Sequence, residues 1–244
     1  MNWPLFIIGA AAGGFINGLA GFGTALFALG FWLQFLPPTR AVAMVLVLSA
    51  VTGLQGLWLV RRAIADRPGR LARFLLPALA GIPLGIAVLT RIEPAQLKIV
   101  IGLFLIVYGG YFSLRRNLPA FVRPTPVIDS MVGFAGGILG GAASLSGALP
   151  TMWCSLRPWP RAETRAVLQP FNVTVLALTA VILAFRGVYD SQTLTLLAIA
   201  LPVSLISAQI GIAIFRRISD HMFRRLLIAM TFLSGSVIML REVM

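Results

Sequence analysis

Two apolar stretches, Pro4–Leu36 and Pro126–Leu156, constrain this chain more than any other feature. Each is too long for one straight membrane crossing, and each carries a row of glycines near its middle. At 1.5 Å per residue a helix over either stretch would reach roughly 45–50 Å, against a hydrocarbon core of about 30 Å. Glycine weakens a helix by roughly 1 kcal/mol relative to alanine, so the segments Gly13–Gly23 and Gly133–Ala142 need a packing or functional reason. Both read as interrupted helices that line a solute site.

The rest of the chain sets these stretches in a bilayer. It is 59% apolar and 11% charged, with a mean hydropathy of +0.94, whereas a soluble domain has about 25% charged residues. An all-α integral membrane protein follows. The net charge of +13 would suggest nucleic acid in a soluble protein. Here the arginines sit in short clusters between apolar runs, the pattern of cytoplasmic loops, so no nucleic-acid partner is expected and the bilayer is the main one. The first run starts almost at Met1, lacks a basic leader and is too long for a signal core, so no cleaved signal peptide is expected. The lone cysteine, Cys154, excludes an internal disulfide and any CxxC redox or metal pair. No cofactor is implied.

Six further runs have spanning length: Ala41–Val60, Phe74–Leu89, Ala95–Leu114, Ala166–Phe185, Leu194–Phe215 and Met222–Leu240. The second is short, and Pro77 and Pro83 are expected to kink it. If both glycine-rich stretches enter and leave on one side as hairpins, the 20 basic residues sort fifteen inside against five outside. If both cross once, the split is ten against ten. The positive-inside rule therefore favours hairpins. Each half then holds a hairpin and three spans, so the second half is inverted relative to the first.

The residues themselves repeat. Gly14-Phe-Ile-Asn-Gly-Leu-Ala-Gly21 aligns with Gly133-Phe-Ala-Gly-Gly-Ile-Leu-Gly140, and Thr39-Arg-Ala-Val recurs as Thr164-Arg-Ala-Val, with prolines just upstream in both halves. The expected organisation is an N-terminal repeat over 1–116, a linker over 117–126 and a C-terminal repeat over 127–244. Each repeat is a broken or re-entrant hairpin plus three transmembrane helices.

A Gly-rich first segment followed by a basic residue and Ala-Val at the head of the next span, repeated in the second half, resembles the TauE/SafE sulfite exporter family. That resemblance implies a multi-pass permease of the bacterial cytoplasmic (inner) membrane for sulfite, sulfoacetate or related organosulfonates.

Inverted-repeat transporters place substrate near the midplane between broken helices, whose N-termini offer an anion unsatisfied backbone N–H groups. Asn17, Gly21, Gly23 and Thr24 in the first stretch, and Gly140, Gly141, Ser144 and Ser146 in the second, are the leading candidates to bind a small anion. Gln55, Gln169 and Asn172 join them from the spans. An amide in hydrocarbon is costly, so these, with Thr52, Thr174, Ser204, Ser207 and Gln209, should face one another or a wet cavity. Arg40 and Arg165, equivalent in the two repeats, are candidate gates at opposite mouths, with snorkelling at the interface as the plain alternative. For glycines four apart, Gly14/Gly18, Gly81/Gly85 and Gly137/Gly141, close helix packing is the plain alternative, and such faces would also allow a homodimer.

All seven acids fall near segment ends or in loops, which favours an anionic over a cationic solute and disfavours a carboxylate proton relay. One histidine, one cysteine and no paired carboxylates at ligand spacing argue against an enzyme. Alternating access by a secondary anion transporter is the leading reading. An anion channel and a non-transporting, partner-binding membrane subunit are the alternatives.

Overall fold

The computed structural model describes residues 2–89, 91 and 121–243, together with positions 96, 99, 102, 103, 106, 107 and 109–111. Its helices are α1 (Trp3–Ala20), α2 (Thr24–Trp32), α3 (Pro38–Asp66), α4 (Pro68–Leu89), α5 (Pro126–Ala143), α6 (Ala148–Ser155), α7 (Arg161–Phe185), α8 (Ser191–Arg217) and α9 (Asp220–Val243). No strand occurs among the described residues. By length and composition α1, α3, α4, α5, α7 and α8 can each cross a membrane. The span expected at Ala95–Leu114 lies mostly outside the described residues, and α9 covers the one expected at Met222–Leu240.

Both glycine-rich stretches break and fold back. In the first, Gly21 and Gly23 take left-handed conformations (φ 85° and 100°), and the Gly21 N–H closes α1 on the Asn17 carbonyl at 2.8 Å. Without a Cβ, glycine adopts this conformation at no steric cost. In the second, the left-handed residue is Ser144 (φ 58°). Its N–H donates to Gly140 O at 3.0 Å, and the Leu145 N–H reaches back to Leu139 O at 3.1 Å. The first of these is the 5→1 bond of an αL cap.

The arms of each hairpin are unequal. The first arms have 18 residues each, the returns only 9 and 8. At 1.5 Å per residue, that is about 27 Å out and about 12–14 Å back. A tryptophan fastens each return arm. The Trp32 indole stacks on Phe6 at 5.2 Å and donates to the Phe6 carbonyl at 3.0 Å. The Trp153 indole donates to Asp129 Oδ1 at 2.6 Å.

Small residues then let backbones meet. A Cβ on Gly14 or Gly18 would run into the backbone of Ser204 or Ala208 on α8, and one on Gly211 into that of Phe15 and Leu19. The same relation joins Gly133 and Gly137 to Phe74 and Ala78 on α4, and Gly81 to Phe134 and Ile138. Thus α1 is welded to α8 and α5 to α4, each pair drawing one helix from either half of the chain. Pro77 and Pro83 lie inside α4, which remains one helix and begins six residues before the apolar run suggested. Such prolines are tolerated where neighbouring helices and local adjustments satisfy the freed carbonyls.

Helices α3 and α7 pack against each other at the centre, touching at Gly53 and Gly56 of α3 and Gln169 and Val173 of α7. Every residue from Ala41 to Leu46 and from Arg165 to Val173 is buried. A helix buried on all sides is a core element. One end of this core gathers basic residues: Arg70 pairs with Glu163 at 2.7 Å, and Arg161 donates to Phe215 O at 2.9 Å. The α3–α4 corner, the start of α7 and the end of α8 therefore share a face, as the hairpin reading of the positive charges requires.

Candidate functional site

The two hairpin tips converge on α7. A Cβ on Gly147, which precedes α6, would press on the Phe22 side chain at 2.7–2.9 Å. One on Gly21 would lie 2.6 Å from Gln169 Oε1. Both tips thus need glycine for close approach, one against an aromatic ring and the other against a carboxamide.

The side chains of α7 at this point form a ladder. The Ser146 hydroxyl donates to Asn172 Oδ1 at 2.5 Å, and Asn172 Nδ2 faces Gly21 O at 3.5 Å. One turn earlier, Gln169 Nε2 donates to Gly53 O at 3.0 Å, while its Oε1 accepts from Arg165 Nε at 3.0 Å. Arg165 continues to the end of α1, giving hydrogen bonds to Gly18 O at 2.8 Å and Leu19 O at 3.3 Å. These carbonyls lie in the last turn of a helix that stops at Gly21, where backbone acceptors are left over. The Phe215 ring lies 4.2 Å from the guanidinium carbon.

On the first tip Asn17 Nδ2 donates to Ser49 O at 2.9 Å and to Thr52 Oγ1 at 2.6 Å, while the Thr52 hydroxyl donates to Leu48 O at 2.6 Å. Ser144 of the second tip reaches Val42 O at 3.3 Å. Asn17 Oδ1, Thr24 Oγ1, Ser49 Oγ and Thr151 Oγ1 are buried without a partner. Neither α2 nor α6 has a side-chain cap at its N-terminus. The tips are accordingly a buried polar region with three hydroxyls and one amide oxygen left unpartnered.

Several of the candidates read from the sequence come together here: Gly21, Ser146, Gln169 and Asn172 meet along α7, the Asn17 carbonyl accepts the Gly21 N–H, and Ser144 bonds α3 at Val42 O. Gly23 packs on Ile16, and Thr24 on Gly13. Gly140 faces Val175 and Ser146. Gly141 turns away onto α4, against Ile82 and Ile86, so its place is in helix packing. Gln55 sits partly buried on α3 with Oε1 unpartnered. Among the other span polar residues, Ser204 donates to Ala10 O at 2.9 Å. Gln209, however, is exposed on the outer side of α8. The buried face of that helix follows Leu197, Ala200, Ser204, Ala208 and Gly211, and Gln209 falls off it.

Arg40 and Arg165 are equivalent in sequence but not in surroundings. Arg40 is partly exposed, with a bond to Asp190 at 2.7 Å and another to Gln192 at 2.7 Å. Arg165 is 0% exposed, and among the described residues no carboxylate pairs with it. Sequence reasoning missed the fastening of the second hairpin, where buried Arg157 pairs with Asp129 at 3.3 Å and also bonds Thr125, Arg123 O and Phe121 O. Among the described residues no cluster of three His, Cys, Asp or Glu could hold a metal ion.

The profile of a protein family described as "Sulfite exporter TauE/SafE" matches residues 5–238. No curated protein and no solved structure matches the chain.

Proposed function

The chain belongs to the sulfite exporter TauE/SafE family, and from that membership we propose that it carries sulfite or organosulfonates such as sulfoacetate across the bacterial cytoplasmic membrane, by alternating access at a site between the two broken helices. The family and the six apolar helices make it a multi-pass membrane transporter.

One observation carries the site: both breaks deliver polar groups to one buried segment of α7, where a guanidinium is present and, among the described residues, no carboxylate is paired with it. Backbone donors, hydroxyls and amides suit an oxyanion, which accepts hydrogen bonds and needs no acceptor in return. Gly23, Thr24 and Ser146 would supply donors at the tips, Gly21 and Gly140 would keep the backbone close to the ligand, and Asn17, Gln169 and Asn172 would orient it.

An inverted duplication accounts for the helix pairing. If the halves are related by a pseudo-twofold axis in the membrane plane, the partner that α1 finds in α8 must recur as α5 with α4, and it does at matching glycines. The natural moving bodies are then these welded pairs with their return arms. Rocking one pair against the other would part Phe22 from Gly147 and open the tips to one side at a time. Arg40, tied to Asp190 at the far end of α3, would close the mouth opposite the Arg-rich face.

The test is flux through purified protein in proteoliposomes, with sulfite, sulfoacetate, sulfate and small carboxylates offered in turn. Uptake of a sulfur oxyanion that accelerates when the same anion is loaded on the opposite side is the expected result. Flux of none of them by folded protein would overturn the proposal. A steady conductance without that acceleration would identify a channel.

A further inference from the structure

We infer that Arg165 is the countercharge of the carried anion, so that the site takes one negative charge and singly charged oxyanions pass in preference to doubly charged ones. The inference rests on the transport reading above and narrows it.

The charge balance at the tips leads to this valence. At each tip a helix C-terminus stands beside a helix N-terminus, α1 beside α2 and α5 beside α6. Their opposite half-charges largely cancel. What remains is one guanidinium. Glu163, the carboxylate nearest to Arg165 in sequence, is engaged with Arg70 and Arg67 at 2.7 and 3.6 Å. Asp129 is engaged with Arg157, and Asp190 with Arg40. Among the described residues, the buried segment of α7 therefore carries a net charge of one, positive.

Arg165 also keeps donors in reserve. A guanidinium has five N–H groups. The contacts with Gln169, Leu19 O and Gly18 O use three of them, so one N–H on each terminal nitrogen is left for an oxyanion without releasing α1. An ion removed from water without a matching charge is strongly disfavoured. A monoanion leaves the loaded site neutral, while a dianion leaves one charge unmatched. The same single charge explains why no carboxylate is needed: without anion, the Phe215 face and the α1 carbonyls shelter the cation.

The experiment compares flux of methanesulfonate, singly charged, with flux of sulfate and sulfoacetate, doubly charged at neutral pH, in proteoliposomes of the wild type, Arg165→Lys and Arg165→Gln. Wild type should carry methanesulfonate at least about tenfold faster than either dianion. Arg165→Lys should keep that order at lower flux. Arg165→Gln, checked for a wild-type elution profile, should lose methanesulfonate flux by a similar factor. Dianions carried as fast as methanesulfonate would overturn the inference while leaving transport standing, as would wild-type methanesulfonate flux in Arg165→Gln. If that variant does not fold, the wild-type valence order alone decides. If folded wild type carries no anion, the transport reading falls, and this inference with it.

Discussion

The Ser146 hydroxyl donates to the Asn172 carboxamide oxygen at 2.5 Å, and the amide nitrogen of Asn172 faces the Gly21 carbonyl across 3.5 Å. One side chain on a core helix therefore touches both helix breaks. The second contact is near the limit of a hydrogen bond, so Asn172 holds the second tip firmly and the first loosely. A change in the separation of the tips would be felt at this residue before any other of the ladder.

The glycines that weld α1 to α8 and α5 to α4 should be intolerant of any side chain. In Gly18→Val and Gly137→Val the new Cβ meets the backbone of Ala208 or Ala78, which cannot rotate away. Overpacking in cores costs about 1–3 kcal/mol where side chains can shift, and a backbone contact leaves less room. Both variants should fall below wild-type yield and melt lower in detergent by more than the Gly30→Val control, at which a Cβ meets nothing within 4 Å. Equal melting of all three proteins would refute the packing role.

Asp129 and Arg157 fasten the base of the second hairpin out of water, with side chains 5% and 3% exposed. Removing one partner of a buried pair strands the other, a loss of about 3–5 kcal/mol. Asp129→Ala should destabilise by that amount, because it also deprives Trp153 of its acceptor. Asp129→Asn, which keeps an oxygen for the indole, should cost less. Chemical unfolding in detergent, followed by tryptophan emission, measures both.

Asp190 makes a pH-dependent contribution at the opposite face. It caps α8 through the Thr193 N–H at 2.7 Å, and hydrogen bonding from Thr193, helped by Arg40, lowers its pKa below the ordinary carboxylate value. A lowered folded pKa means that stability is present above the unfolded pKa, about 3.9, and is lost as pH falls through the folded value. Wild type should therefore melt higher than Asp190→Asn at pH 7, and the gap should close in mildly denaturing acid below pH about 4. A gap unchanged by pH would remove Asp190 from this role.

The helical, membrane-spanning character and the two helix breaks were legible because their signals are physical constraints of the membrane: length of apolar runs and glycine near the breaks. The first break was readable at Gly21 and Gly23. The second was displaced, since Gly140 and Gly141 lie before Ser144, and Gly141 serves packing on α4 instead. A serine accepts a left-handed conformation only because the surrounding turn holds it, and no local pattern announces that. A usable signal went unread in the tryptophans: Trp32 lies nine positions after Gly23 and Trp153 nine positions after Ser144, and each indole fastens its hairpin. The Asp129–Arg157 pair joins α5 to the connection that follows α6, and the buried state of Arg165 depends on where α1 ends. Both are tertiary facts that the one-dimensional pattern does not contain.

The central claim is that the anion binds where the two breaks meet α7, and equilibrium binding tests it most directly. Isothermal titration of purified protein with sulfite should give a saturable isotherm for wild type. Affinity should fall at least about tenfold in Asn172→Ala and in Ser146→Ala, a loss of about 1.4 kcal/mol each, while Gln209→Ala, on the outer side of α8, binds as wild type. Wild-type affinity in both Asn172→Ala and Ser146→Ala would contradict the account.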